Sequence, residues 1–287
     1  MKIRSYAKIN LGIEVLRKRE DSYHEIRTLF QSIGLFDELE LVEADANEGI
    51  SIEGDDPEIE WDESNLIFRA ARVLRESAQI KAGVKIRVRK KIPPGKGLGG
   101  GSSNAAMTLF GLNRLWGLSF TNKRLKDIGE GLGADVPYFL EGGLCLGLRK
   151  GDHIIPQDDL DPMLCLVVLP DFAISTAFIY KQLTLTSHGK DSKIIRFLGG
   201  NDFRLLQNEL EETVFSEYPQ LKTIKRLLID RGAVLASVSG TGSAVYGLFP
   251  AEDTAKAAAR ELGNNQSSVL IETLSRERYW NNLITGV

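Results

Sequence analysis

Pro93-Pro-Gly-Lys-Gly-Leu-Gly-Gly-Gly-Ser-Ser-Asn-Ala-Ala106 is the stretch on which the reading of this chain turns. Residues 84–92 before it place Val84, Ile86 and Val88 on one side of an alternating run, the period of a β-strand. After it, Ala105, Ala106, Leu109, Asn113 and Trp116 recur at helical spacing and predict the inner face of a helix. A glycine-rich turn feeding a helix N-terminus is an anion site, because free backbone N–H groups and the positive end of the helix dipole converge there. Glycine is needed because a Cβ would keep the backbone off the phosphate oxygens. Ser102 and Ser103 fall where an N-cap belongs, with hydroxyls able to reach the same anion.

Three known phosphate loops compete with this reading. A P-loop requires Gly-Lys followed by Ser or Thr, and here Gly97 follows Lys96. Gly95, Gly97 and Gly100 satisfy the dinucleotide spacing, but that fold needs a second strand ending in an acid about 20 residues on. Residues 121–132 read as another helix instead. The companion motifs of a protein-kinase glycine loop are absent. A bare surface turn is the bland alternative, and the serines and helix start that follow the glycines weigh against it.

The 287 residues allow two domains, and 43% hydrophobic with 26% charged residues is the balance of a globular protein. A net charge of −3 argues against a nucleic-acid partner. Among Arg87, Arg89, Lys90 and Lys91, the last two are placed to feel a phosphate, and the others read as a solvated strand face. Cys145 and Cys165 sit in apolar runs and read as small core residues, which fits a reducing, cytoplasmic setting. Three scattered histidines without a Cys-x-x-Cys pair predict no structural metal site. Residues 1–12 lack the core of a signal peptide, and no run approaches the about 20 apolar residues that span a bilayer.

Along the chain the pattern is mixed α and β. Residues 9–16 predict a half-buried strand and 35–42 another. Residues 65–78 predict a helix, 144–148 a strand, and the acidic stretch 156–162 a domain boundary. Beyond it come a strand at 164–169, a helix capped by Ser175, and two helices within 203–231. Strands at 234–239, 244–249 and 269–274 and a helix at 254–262 complete the chain, with a mobile loop expected at 186–193.

A second glycine cluster, Val238-Ser-Gly-Thr-Gly-Ser-Ala-Val245, lies between two of these strands. It reads as a tight hairpin turn or as a second backbone nest for a phosphate or sugar. Asp135, in Leu132-Gly-Ala-Asp-Val-Pro137, is either a turn-forming acid or a carboxylate aimed at a substrate hydroxyl. Lys8 interrupts an apolar strand, where a charge is costly unless paired, and an ion pair with Asp135 would satisfy both. Tyr23-His24 reads as a half-buried structural pair or as a base-stacking and hydrogen-bonding site.

These residues add up to a resemblance. Residues 93–106 resemble the central motif of the GHMP kinases, 7–11 their first motif and 239–249 their third, in the right order. Asp21-Ser-Tyr-His24, Thr28-Leu-Phe-Gln31, Asn65-Leu-Ile67 and Gly133-Ala-Asp-Val-Pro137 are similar to the member acting on a cytidine diphosphate-bearing alcohol. The resemblance implies an α/β chain (α+β by domain) with two domains. Residues 1–156 would form an ATP-binding domain like domain 2 of ribosomal protein S5, and 157–287 a ferredoxin-like substrate-side domain. It implies ATP with magnesium, the ion held mainly by the phosphates and Ser103, and a small-molecule partner carrying cytidine diphosphate. The chain would be a monomer or homodimer.

In that scheme Asp135 is the base and Lys8 its partner. Gly95, Lys96, Gly97, Leu98, Gly99, Gly100, Gly101, Ser102 and Ser103 hold the ATP phosphates, with Asn65 and Leu66 near the adenine. Asn10, Tyr23, His24, Gly240, Thr241 and Gly242 hold the other substrate, and Tyr180 sandwiches the cytosine against Tyr23. The reaction expected is ATP-dependent phosphorylation of that substrate's 2-hydroxyl, in the non-mevalonate route to isoprenoids. A homoserine- or mevalonate-type kinase would keep the ATP loop without the cytosine clamp, and a non-catalytic nucleotide- or RNA-binding module would need neither Asp135 nor Lys8. Three positions depart from the pattern: Ser22 replaces a usual glycine, Tyr6 a frequent proline, and Lys96 a common small residue.

Overall fold

A computed structural model describes residues 1–183, 191–263 and 266–285. Its strands are β1 (Lys2–Lys18), β2 (His24–Ala44), β3 (Ile50–Gly54), β4 (Gly83–Arg89), β5 (Leu144–Leu148), β6 (His153–Pro156), β7 (Leu164–Leu169), β8 (Leu235–Val238), β9 (Val245–Phe249), β10 (Ser267–Glu272) and β11 (Ile284–Thr285). Its helices are α1 (Leu66–Ala78), α2 (Gly100–Leu115), α3 (Asn122–Glu130), α4 (Val136–Phe139), α5 (Thr176–Gln182), α6 (Lys193–Leu198), α7 (Glu211–Glu217), α8 (Pro219–Asp230), α9 (Glu252–Leu262) and α10 (Arg276–Asn281).

Two sheets organise the molecule. The first runs β11-β1-β2-β4-β3, with β5 paired to β2 and β6 to β5; only the β3–β4 pair is parallel. The second is the antiparallel sheet β10-β7-β9-β8. The chain crosses between them over residues 157–163. At its end it returns, with α10 and β11 packed against the first sheet through Tyr279 and Leu283.

Local chemistry accounts for the helices that position the site. The Asn65 side chain caps α1 by accepting from Ile67 N, and Thr121 caps α3 in the same way. Helix α2 is buried on nearly every side, with Ser103 through Leu109, Gly111 and Leu112 all inside. That burial corrects the single inner face expected from periodicity: α2 lies between β1 and the helices α1, α3 and α4. Its N-cap is Gly99, at φ 72°, so Ser102 and Ser103 lie inside the first turn and do not cap it.

Strand β1 also departs from expectation. Every residue from Ser5 to Val15 is buried, polar positions included, where a half-buried strand was expected. Ala7, Ile9 and Leu11 join a core shared with Cys165, Val167 and Tyr246 of the second sheet, and Ile13 and Val15 pack with Leu166 and Val238. A strand wedged between two domains has no solvent face. Cys145 and Cys165 are free and buried, as expected of core residues. The strand at β3 and the short elements β6, α6, α10 and β11 carry too little periodicity to be read from sequence. Of the loop expected at 186–193, residues 186–190 lie outside the described residues, while Ser192 caps α6.

Candidate active site

The two domains meet at a cleft of about 770 Å³. Lys8, Asn10, Tyr23, His24, Gly97, Gly99, Asp135, Tyr180, Gly240 and Thr241 all line it, so the structure gathers sequence-distant candidates into one place. Register explains how β1 contributes. Its pairing with β2 is interrupted between Tyr6 and Ala7 and again between Asn10 and Gly12. Between these irregularities Lys8 and Asn10 share one face, as residues two apart on a strand must.

Lys8 Nζ lies 3.5 Å from Asp135 Oδ2 and donates to Asn10 Oδ1 at 2.7 Å. The Asn10 amide donates to Thr28 Oγ1 at 2.8 Å, and that hydroxyl donates to the Gly12 carbonyl at 3.0 Å. Lys8 is nearly sealed, its side chain 5% exposed, whereas the Asp135 side chain is 30% exposed. The lysine is thus the fixed member and the carboxylate the one that solvent or a ligand can reach. Thr28 stood out in the sequence only as part of a motif; its orienting role depends on the β1–β2 register.

The N-terminus of α2 faces this pair. A Cβ built on Gly99 would lie 3.2 Å from Lys8 Cε, and one on Gly133 would lie 3.7 Å from Ser102 Oγ. The first N–H groups of a helix lack intrahelical partners, so those of Gly100, Gly101 and Ser102 are available to an anion. Ser102 makes no side-chain hydrogen bond among the described residues. The second glycine turn closes in from the β8–β9 hairpin: a Cβ on Gly240 would lie 3.7 Å from Lys8 Nζ and 3.7 Å from the Gly97 carbonyl. Gly97, at φ 77°, permits this approach, since a Cβ there would stand 1.9 Å from the Ser239 carbonyl. Ser239 Oγ donates to the Gly97 carbonyl at 2.8 Å. Thr241 pairs its hydroxyl with that of Thr176, on α5, at 3.0 Å.

Other candidates prove to be internal. The Ser103 hydroxyl donates to the Tyr6 carbonyl and accepts from Ser5 Oγ, both at 2.7 Å, and its N–H bonds to Gly99. This corrects its reading as an anion or metal contact. Lys90 pairs with the buried Asp37 and donates to Asn104 Oδ1, so it faces no phosphate. Asp37 also accepts from Lys91 N, Ile92 N and the Asn104 amide, which ties the strand before the glycine turn to the helix after it. The Lys96 ammonium turns to the backbone of residues 170–172, neither to solvent nor to the cleft. Leu98 is a core side chain whose carbonyl accepts from Lys8 N. Gly242 faces Val238 and Ile174 within the second domain. Asn65 is occupied as a cap, and Leu66 lies beside Gly101, so both flank the α2 turn without lining the cleft.

At the far end of the cleft, Tyr180 stacks on His24, ring centroids 5.0 Å apart, and does not meet Tyr23. Burial pushes the Tyr180 phenol up, aided by the charge of Asp135. Burial, and then the charge of Lys18, hold the His24 imidazole below its ordinary value. Tyr23 is 58% exposed, with Lys150 Nζ 5.0 Å from its ring centroid. Lys18, Lys150 and Lys181 also line the cleft, residues that no motif had singled out. Among the described residues no group of three or more His, Cys, Asp or Glu could hold a metal ion, and no helix is long and apolar enough to cross a membrane.

Two glycine turns facing each other across an interdomain cleft, with a lysine–aspartate pair at its floor, define a small-molecule kinase of the GHMP class. The GHMP kinases N terminal domain model matches residues 65–143 and the GHMP kinases C terminal model residues 192–268. A 4-diphosphocytidyl-2-C-methyl-D-erythritol kinase of Syntrophus aciditrophicus is 42% identical over 266 residues, 92% of this chain and 95% of that protein. The crystal structure of a 4-(cytidine 5'-diphospho)-2C-methyl-D-erythritol kinase superposes with a TM-score of 0.82 at 32% identity, over 95% of this chain and 99% of the other. The chain belongs to the GHMP kinase family, in the branch of the 4-diphosphocytidyl-2-C-methyl-D-erythritol kinases. A homoserine kinase of Cytophaga hutchinsonii shares the fold alone, at a TM-score of 0.76 and 20% identity over 96% of this chain and 95% of the other.

Proposed function

We propose that the chain phosphorylates the 2-hydroxyl of 4-diphosphocytidyl-2-C-methyl-D-erythritol with ATP, in the non-mevalonate route to isoprenoid precursors. The observation that carries this reading is the Lys8–Asp135 pair, 3.5 Å apart, beside the open N-terminus of α2. Asp135 takes the hydroxyl proton as the hydroxyl oxygen attacks the γ-phosphorus. The bond from that phosphorus to the oxygen bridging the β and γ groups breaks, and ADP leaves. Lys8, anchored by Asn10 and Thr28, holds the Asp135 carboxylate in place through their ion pair.

The N–H groups of Gly100, Gly101 and Ser102 hold the phosphates, and phosphoryl transfer needs mainly this positioning and charge neutralisation. The phosphates themselves, with the Ser102 hydroxyl, which makes no side-chain hydrogen bond among the described residues, would hold a magnesium ion, which would supply neutralisation of the phosphate charge. Leu66 lies near the adenine. Tyr23 and Tyr180, both on the cleft wall, sandwich the cytosine, with His24 stacked on Tyr180 beside it. Residues 1–156 serve as the nucleotide domain and 157–287 as the substrate-side domain, whose last segment packs back on the first sheet.

The test is ADP release with ATP and magnesium, offering the cytidine compound, homoserine, mevalonate or galactose in turn. Release with the cytidine compound alone is expected. Release with another alcohol instead would make the aromatic group structural, and silence with all four would favour a binding module. Asp135→Asn is expected to lower kcat by about 10²–10⁴-fold, with binding of a non-hydrolysable ATP analogue retained. Unchanged turnover in that variant would remove Asp135 as the base.

A further inference from the structure

We propose that Lys96 is a positioning residue that fastens the phosphate-binding turn to the helix forming the co-substrate wall of the cleft. The proposal rests on the kinase reading above. Lys96 Nζ donates to the Pro170 carbonyl at 2.5 Å and to the Phe172 carbonyl at 2.7 Å. The residue is 9% exposed, and among the described residues no carboxylate lies within ion-pair distance of it. An ammonium buried against carbonyls alone is costly. A lysine with nothing to hold would carry its head to water. Burial also holds this amine below its ordinary value.

The surrounding contacts converge on the same few residues. The Lys96 carbonyl accepts from Ala244 N at 3.1 Å, and the Gly95 carbonyl accepts from Ile174 N at 3.5 Å. Ser243 Oγ donates to the same Phe172 carbonyl that Lys96 holds. Gly95, at φ 68°, lies so close that a Cβ there would stand 2.9 Å from Ala173 Cβ. The Phe172 ring stacks on Tyr218, 5.3 Å between centroids and 13° from parallel. Residues 170–174 are therefore gripped on one side by the glycine turn and on the other by the second domain.

The next residue, Ser175, caps α5, and α5 carries Thr176, Ala177, Tyr180 and Lys181 on the cleft wall. A shift of the glycine turn is thus passed, through the two Lys96 bonds and the longer Ile174 N to Gly95 bond, to the element that carries Tyr180. This linkage sets the donor phosphate and the acceptor alcohol at a fixed separation, and errors of about 1 Å there cost on the order of 10² in rate.

Amide hydrogen exchange, read with and without magnesium and a non-hydrolysable ATP analogue, tests the linkage without the alcohol substrate. In the unaltered chain the analogue is expected to slow exchange over residues 95–103 and, by at least about threefold, over 170–182. In Lys96→Met, which keeps the stem, loses both side-chain bonds and leaves only the longer Gly95–Ile174 bond, protection of 95–103 is expected to remain and that of 170–182 to weaken. Lys96→Arg is expected to restore it. Thermal unfolding is recorded first, and Lys96→Gln replaces the methionine variant if that one does not fold. Equal protection of both stretches in the altered chain would overturn the proposal. So would protection of 95–103 alone in the unaltered chain. Protection of neither stretch there would overturn the kinase reading, and the latch with it.

Discussion

Residues 90–104 and residues 19–24 both border the cleft and are held in opposite ways. In the first stretch the side chains of Lys90, Lys96, Ser103 and Asn104 all have partners inside the protein. Asp37, fully buried, accepts from Lys91 N at 2.7 Å, from Ile92 N at 2.8 Å and from the Asn104 amide at 2.9 Å, and pairs with Lys90. The second stretch is held at the surface. Arg19 bonds Asp21 and Glu25, Asp21 accepts from Tyr23 N, and Ser22 sits at φ 67°. Bonding to Arg19 holds the exposed Asp21 carboxyl below its usual range. The end of the cleft where phosphate charge must be met is built before any ligand arrives, and preorganised donors lose little on reaction. The end assigned to the cytosine keeps an open aromatic face that a base can cover.

The largest effect that sharpens this contrast is expected from Asp37→Asn. An amide there turns N–H donors towards Lys90 and Asn104 and leaves the lysine charge buried without a counter-charge, a loss of about 3–5 kcal/mol. Urea denaturation measures it, and a loss below about 1 kcal/mol would mean that the turn is no better anchored than a surface loop. Tyr23→Ala should leave stability unchanged while raising the KM for the cytidine substrate roughly ten- to a hundredfold, the scale of one base stacked on an aromatic ring. Steady-state kinetics with each substrate varied in turn would detect it; a rise in the KM for ATP alone would reverse the assignment of the two ends.

Ser22→Gly is expected to stabilise the chain by about 0.5–1 kcal/mol, because the left-handed backbone there strains any residue with a Cβ. Urea denaturation measures the gain, and a loss of stability would mean that the Ser22 side chain holds the turn. The smallest effect concerns His24. Its folded value lies below the ordinary 6.5 through burial and Lys18, so on acidification the unfolded chain takes up this proton before the folded one does. The contribution to stability is therefore present above about pH 6.5 and lost as pH falls. His24→Gln should flatten the decline in thermal stability between pH 7 and pH 5, and an unchanged slope would show that other groups set it.

Much of the site was legible in the residues because its chemistry is written locally. A strand, a glycine run and a helix start are contiguous, and glycine is conspicuous wherever backbone must approach backbone, as Gly97 does Ser239. Lys8 showed as a charged interruption of an apolar strand. The pairing of Lys8 with Asp135, expected on the ground that a buried charge needs a partner, is present at 3.5 Å. Thr121 and Ser175 announced their helices because a cap is made within three residues.

The destinations of individual side chains were decided by the tertiary structure alone. Lys90, Lys96 and Ser103 have the residue types of phosphate contacts and lie in or beside the phosphate turn. Yet one meets a buried carboxylate on β2, one the backbone after β7, and one the backbone of β1. Those partners lie 53, 74 and 97 residues away in the chain. Tyr180 stacks on His24 for the same reason, since α5 and the start of β2 come together only when the second domain packs on the first. Sequence by itself determined where the backbone turns tightly and which residue types were on hand, because those follow from φ, from Cβ size and from spacing along the chain. Whether a given hydroxyl or ammonium looks into the cleft or into the protein was settled by which distant carbonyl or carboxylate the folded domains brought against it.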